Sequence, residues 1–136
     1  MKKYTLSIDD TIEIDGVTLY RIQALKSFGD ITKGDKGGYI SKESNLSHKD
    51  NAWVYYSAKA YGNAEISGNA KVYGDARVYG YAMVYGDAEV YGNAIVYEKA
   101  NVSGHAKVYG YAEVSGSDEI SGHDKISGDE EVDKQN

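Results

Sequence analysis

The chain has 136 residues, with 16 Gly, 14 Tyr, one Phe, one Trp, no Pro and no Cys, and a formal net charge of −6. That length suits a single domain able to bury a core, and the lack of cysteine excludes disulfide frameworks, thiolate zinc sites and thiol nucleophiles. The charge is local: residues 113–136 carry two basic against eight acidic residues, while residues 1–50 balance at eight of each and residues 51–112 at five of each. With no basic footprint, direct nucleic-acid binding is not expected.

The first residues, MKKYTLSIDD, turn acidic before any apolar run develops. They do not read as a signal peptide, and no stretch reaches the roughly 18 apolar residues of a membrane span. A cytoplasmic protein without a membrane partner is the expectation. Residues 1–50 form an N-terminal cap of short strands and turns. TIEID, Gly16 and VTLYRIQAL read as a short strand, a turn and a longer strand or helix start, and Asp35-Lys36-Gly37-Gly38 has turn chemistry. The Gly-rich run Lys33–Gly38 lacks the spacing and flanks of a phosphate loop and reads as a cap loop. Ile40 and Leu46 lead into Ala52, so coiling is expected to begin near Tyr39.

From residue 51 to 136 the chain reads in units of six: Ala, a variable residue, an aliphatic one, Tyr or Ser, Gly, then Asn or Asp. AEISGN, AKVYGD, AMVYGD and AEVYGN are examples. Ala and the aliphatic residue lie two apart, so an extended segment points both to one side and points the variable residue and the Tyr to the other. The Gly pair supplies a corner, because Gly takes positive φ freely. Four-residue strands joined by two-residue corners follow. A meander of hairpins would leave one apolar face uncovered; a triangular parallel solenoid of 18 residues per coil, about five coils in all, turns every Ala and Val to its own axis.

Stacking at that period builds outward columns. Tyr55, Tyr73, Tyr91 and Tyr109 form a tyrosine ladder beside Trp53, Lys71, Glu89, Lys107 and Lys125. Such rings either brace the coils or present an interaction surface. Met83 and Ile95 are apolar residues in the variable slot, and Tyr79, Tyr81, Tyr85 and Tyr97 surround them in the pattern, which marks a candidate interface for a homodimer or a protein partner. His105 and His123 share a corner column with Asp87 and are weak candidates for a metal site; the alternative is a His standing for Asn at a solvent corner. After Ala112 the small slot holds Asp118, Asp124 and Glu130. With Glu119, Asp129 and Glu131 they make an acidic end, read either as an end cap against polymerisation or as a docking surface for a basic partner.

The unit VYGDAE at residues 84–89 resembles the hexapeptide repeat of left-handed parallel β-helices. The segment holding IQALKSFGD, KGDKGGYI, NLSHKD and AWVY is similar to the start of bacterial and phage hexapeptide-repeat proteins labelled as transferases or polymer-forming proteins. The resemblance implies an all-β, left-handed parallel β-helix; general crossover chirality alone would favour the right hand. It also implies acyltransferases as one alternative, whose usual loop extruded from the coils is not visible between residues 52 and 132. The expected function is therefore a non-enzymatic interaction protein without cofactor or catalytic residues, for instance a phage-encoded inhibitor of a host defence protein. A self-associating structural solenoid is a further alternative.

Overall fold

An 18-residue period closes into a three-sided coil because each six-residue unit contributes one straight side and one corner. The computed structural model describes residues 2–128. One face is a five-stranded parallel sheet of β4 (Trp53–Val54), β7 (Lys71–Val72), β10 (Glu89–Val90), β13 (Lys107–Val108) and β16 (Lys125–Ile126). A second face holds β5 (Lys59–Ala60), β8 (Arg77–Val78), β11 (Ile95–Val96) and β14 (Glu113–Val114), and the third β6 (Glu65–Ile66), β9 (Met83–Val84), β12 (Asn101–Val102) and β15 (Glu119–Ile120). The strands are two residues long, not four, although coil-to-coil bonding extends past them: Tyr73 N–H donates to Val90 O at 2.9 Å. From Trp53 onward partners are offset by 18 residues, as in Lys71 beside Glu89 and Glu89 beside Lys107.

The core is the axis of the coil. Every small-slot Ala and every residue of the aliphatic slot from Ala52 to Val114 is at most 1% exposed. Each buried Val contributes about 1.5–3 kcal/mol relative to exposure, and the Ala opposite leaves room for it in a narrow triangle. At the corners Gly74 has φ 65°, and a Cβ there would lie 2.8 Å from the Gly92 nitrogen of the next coil. Glu98 occupies a glycine's place at φ 57°, and its Oε1 accepts the Gly116 N–H at 2.6 Å, a bond that offsets part of the strain.

A solenoid exposes its apolar axis at each end, and the cap closes the first. β1 (Tyr4–Ile14) and β2 (Val17–Ala24) form an antiparallel hairpin through Asp15 and Gly16, both at positive φ, so the segment read as a strand or helix start is a strand. β3 (Lys36–Ile40) pairs antiparallel with β2 and parallel with β5. The Gly37-Gly38 pair is therefore strand, not turn: Cβ atoms there would press on the Val54 and Ala58 carbonyls and the Ile22 side chain. The first coil is longer than the rest, since Ile40 stacks on Ala60 and Leu46 on Ile66, 20 residues away, with the two extra residues between Leu46 and Val54. The only helical piece among the described residues is a 3-10 turn at Glu43–Asn45.

Lys3 and Tyr4 plug the axis. Lys3 is fully buried, with its Nζ donating to the carbonyls of Ala52 (2.7 Å), Lys49 (3.3 Å) and Asp50 (3.3 Å) and lying 4.8 Å over the Phe28 ring. The Tyr4 hydroxyl donates to Leu46 O at 2.5 Å. Alongside, Arg21 Nε donates to Asp10 at 2.8 Å, and the Tyr39 hydroxyl donates to the other Asp10 oxygen at 2.8 Å. These bonds, the Tyr39 hydroxyl first, hold the Asp10 carboxyl below its ordinary range.

At the far end β15 and β16 continue the stacking, with Ile120 6% and Ile126 7% exposed. Asp118 is half-buried and Asp124 exposed, so the carboxylates in the small slot are less covered than the Ala residues that fill it in the earlier coils. Asp129, Glu130 and Glu131 lie outside the described residues.

Three outcomes follow for denaturation experiments. Gly74→Ala lowers stability by at least about 1–2 kcal/mol, the cost of a left-handed L-residue, with the backbone contact adding to it. Lys3→Met strands three carbonyls and costs about 2–3 kcal/mol in urea unfolding. Because the Asp10 pKa is depressed in the folded state, its contribution is present above the ordinary carboxylate range of about 4 and is lost as pH falls below it; Asp10→Asn flattens the acid limb of the stability profile.

Candidate functional site

The chain between β2 and β3 leaves the axis and leans over the first face. A tight turn, with Phe28 N–H donating to Ile31 O (3.0 Å) and Ile31 N–H to Phe28 O (2.7 Å), points the Phe28 ring edge-on at Trp53, centroids 5.2 Å apart. Tyr4 closes the other side of the indole, which is 1% exposed. Trp53 thus heads the column in which the repeat placed it, in register with Lys71, but the cap covers it and takes it out of the exposed face. The same turn carries Asp30 over the first face, where it accepts the Tyr55 hydroxyl proton at 2.9 Å and lies 3.8 Å from Lys71 Nζ. One coil on, the Tyr73 hydroxyl donates to Glu89 at 2.8 Å. Asp30, Tyr55, Lys71, Tyr73 and Glu89 line a cleft of about 230 Å³. Sequence reasoning missed Phe28 and Asp30; a Trp in a slot otherwise filled by Lys and Glu was the available signal.

At the corner between the third and first faces, Asn69, Asp87, His105 and His123 stand one above another. Asn69 Nδ2 donates to Asp87 at 3.3 Å, and the other Asp87 oxygen lies 3.7 Å from His105 Nδ1. His105 and His123 stack with centroids 5.1 Å apart and planes at 8°. Parallel rings keep their lone pairs side by side, whereas a tetrahedral metal needs them to converge. Among the described residues no group of three or more His, Cys, Asp or Glu is placed to hold a metal ion. What the column does provide is an exposed imidazole with a carboxylate on its Nδ1 side, an arrangement suited to taking a proton from a bound acceptor.

The ladder Tyr55–Tyr73–Tyr91–Tyr109 is present, with centroid spacings of 6.0, 4.7 and 5.1 Å. Tyr61, Tyr79 and Tyr97 form a second one at 4.9 and 5.3 Å. Tyr55 meets Tyr73 edge-on, the remaining pairs stack face to face, and burial pushes the Tyr73, Tyr79 and Tyr91 hydroxyls above their ordinary range. Of the residues expected at an interface, Tyr81, Met83 and Tyr85 are exposed along one stretch of chain at 62%, 39% and 38%. Met83 sits in the third sheet between Glu65 and Asn101, and Ile95 is half-buried in the second between Arg77 and Glu113. Tyr79 and Tyr97 are taken up by their ladder. At the acidic end, Glu119 and Asp124 face solvent. Among the described residues no helix is long and apolar enough to cross a membrane.

No protein-family profile matches the chain. Over 70 residues, 46% of this chain, it is 36% identical to a protein of Escherichia coli (strain K12) named "Uncharacterized acetyltransferase YdcK", and the match covers 22% of that protein's length. This similarity corrects the expectation of a protein without enzymatic activity. That expectation rested on the unbroken repeat, which offers no inserted loop to wall a pocket; the cap turn at residues 28–31 supplies such a wall from outside the repeat. The match lends nothing to a phage-encoded inhibitor or to a homodimer. The six-residue repeat and the 18-residue coil agree, and the chain folds as a parallel β-helix built of hexapeptide units.

Proposed function

We propose that this β-helix carries out acyl transfer, with His105 as general base and Asp87 as the residue that positions it. The Asp87–His105 pair, 3.7 Å apart at an open corner, carries the reading. Stacking at one-coil intervals is what brings a carboxylate beneath an imidazole here, at 3.7 Å an electrostatic neighbour of Nδ1 that is not yet hydrogen-bonded to it. In the reaction the nitrogen or oxygen of an acceptor attacks the acyl carbon while its proton passes to His105 Nε2. The bond from the acyl carbon to the leaving group then breaks, and the proton returns from His105 to that leaving group. The acetyltransferase name of the similar Escherichia coli protein supports the class of reaction.

The test is transfer from an acetyl thioester to a panel of amines and alcohols, read by thiol release. His105→Ala is expected to lower the rate about 10²–10⁴-fold, the usual worth of a positioned base, and Asp87→Asn to lower it by less while the unfolding midpoint stays put. Transfer that His105→Ala leaves intact would remove His105 from the mechanism, and no thiol release with any acceptor would sink the reading.

A further inference from the structure

We infer that the cleft beneath the cap turn binds a small zwitterion, a molecule the size of an α-amino acid with one carboxylate and one ammonium group. The inference does not depend on acyl transfer. Its first support is the wall: this is the place where a segment outside the repeat overhangs a regular face, and the turn is held by its reciprocal backbone bonds and by Phe28 against Trp53. A pre-formed recess spares a ligand the cost of ordering it.

The charges decide the class of ligand. Lys71 Nζ is 3.8 Å from Asp30, outside hydrogen-bonding distance, and its side chain is 40% exposed. Its ammonium therefore keeps donors for an incoming carboxylate. Asp30 and Glu89 each accept one phenol hydrogen bond, from Tyr55 and Tyr73. A carboxylate has about four acceptor sites, so both retain capacity for an ammonium group. Burial, then the neighbouring carboxylate, raises both phenols, which stay protonated and hold the two acids in place. A simple cation would meet Lys71, and a simple anion would meet Asp30 and Glu89. A zwitterion satisfies both signs, and about 230 Å³ accommodates an amino acid with a short side chain.

Nuclear magnetic resonance of the full chain tests this, with L-alanine, propionate and ethylammonium as probes and the signals of Asp30, Tyr55, Lys71, Tyr73 and Glu89 as readout. L-alanine is expected to produce saturable shifts confined to these residues at about millimolar affinity, reasonable for so few atoms. Each single-charge probe binds at least about fivefold more weakly, as does L-alanine to Lys71→Met or Asp30→Asn, consistent with loss of one half-exposed ion pair. No saturation with L-alanine, or propionate or ethylammonium matching it on the unaltered protein, would overturn the inference without recourse to any variant. Binding that persists unchanged in folded Lys71→Met would do the same. His105→Ala retains L-alanine binding, so this site and the acyl-transfer reading can fail separately.

Discussion

Everything in this molecule depends on parallel stacking of identical coils at the spacing of a β-sheet, about 4.8 Å. A residue's position modulo 18 sets its face and its neighbours above and below. The stack tolerates one small and one aliphatic residue per side within its axis and a left-handed residue at the corner, and the sequence obeys this from Ala58 to Val114. Like side chains then fall into columns, and column neighbours are near enough to interact whether or not selection acts on the contact. The tyrosine ladders follow from this geometry, with stacked rings shielding the outward side of the first and second faces.

Periodicity solves the interior and leaves the ends open. At the first end the protein spends fifty residues on a solution outside the repeat. A hairpin, an added strand and a lengthened first coil lay Lys3, Tyr4, Ile22 and Leu46 across the axis, and the Ala52 carbonyl, which a preceding coil would have engaged, is met by the Lys3 ammonium. At the far end of the described residues the small slot holds Asp118, half-buried, and Asp124, exposed, while Ile120 and Ile126 continue the aliphatic slot.

Both candidate sites arise where the regular stack meets something irregular. The Asp87–His105 pair exists because a corner column usually filled by Asn or Asp receives a histidine one coil later. The cleft exists because the cap overruns the first face, bringing Asp30 to side chains that the repeat had already arranged. A bare solenoid face is convex and offers a ligand little enclosure. An overhang from a non-repeating segment is what turns a charged column into a recess.

From the sequence alone one could read the 18-residue coil, the buried Ala and Val slots, the ladder through Tyr109, the column of Asp87, His105 and His123, and the acidic change after Ala112, because each is a consequence of period and of side-chain alternation. Local chemistry was also enough to place the hairpin turn at Gly16. It misled at Gly37-Gly38, whose glycines serve close approach to the first coil and not a turn, and it gave no sign that Trp53 would be covered or that Asp30 would reach Tyr55 and Lys71. Those contacts join residues some 25 to 40 positions apart with no repeat between them to set their register. Tertiary packing of the cap against the first coils alone decided them, and with them where a pocket lies.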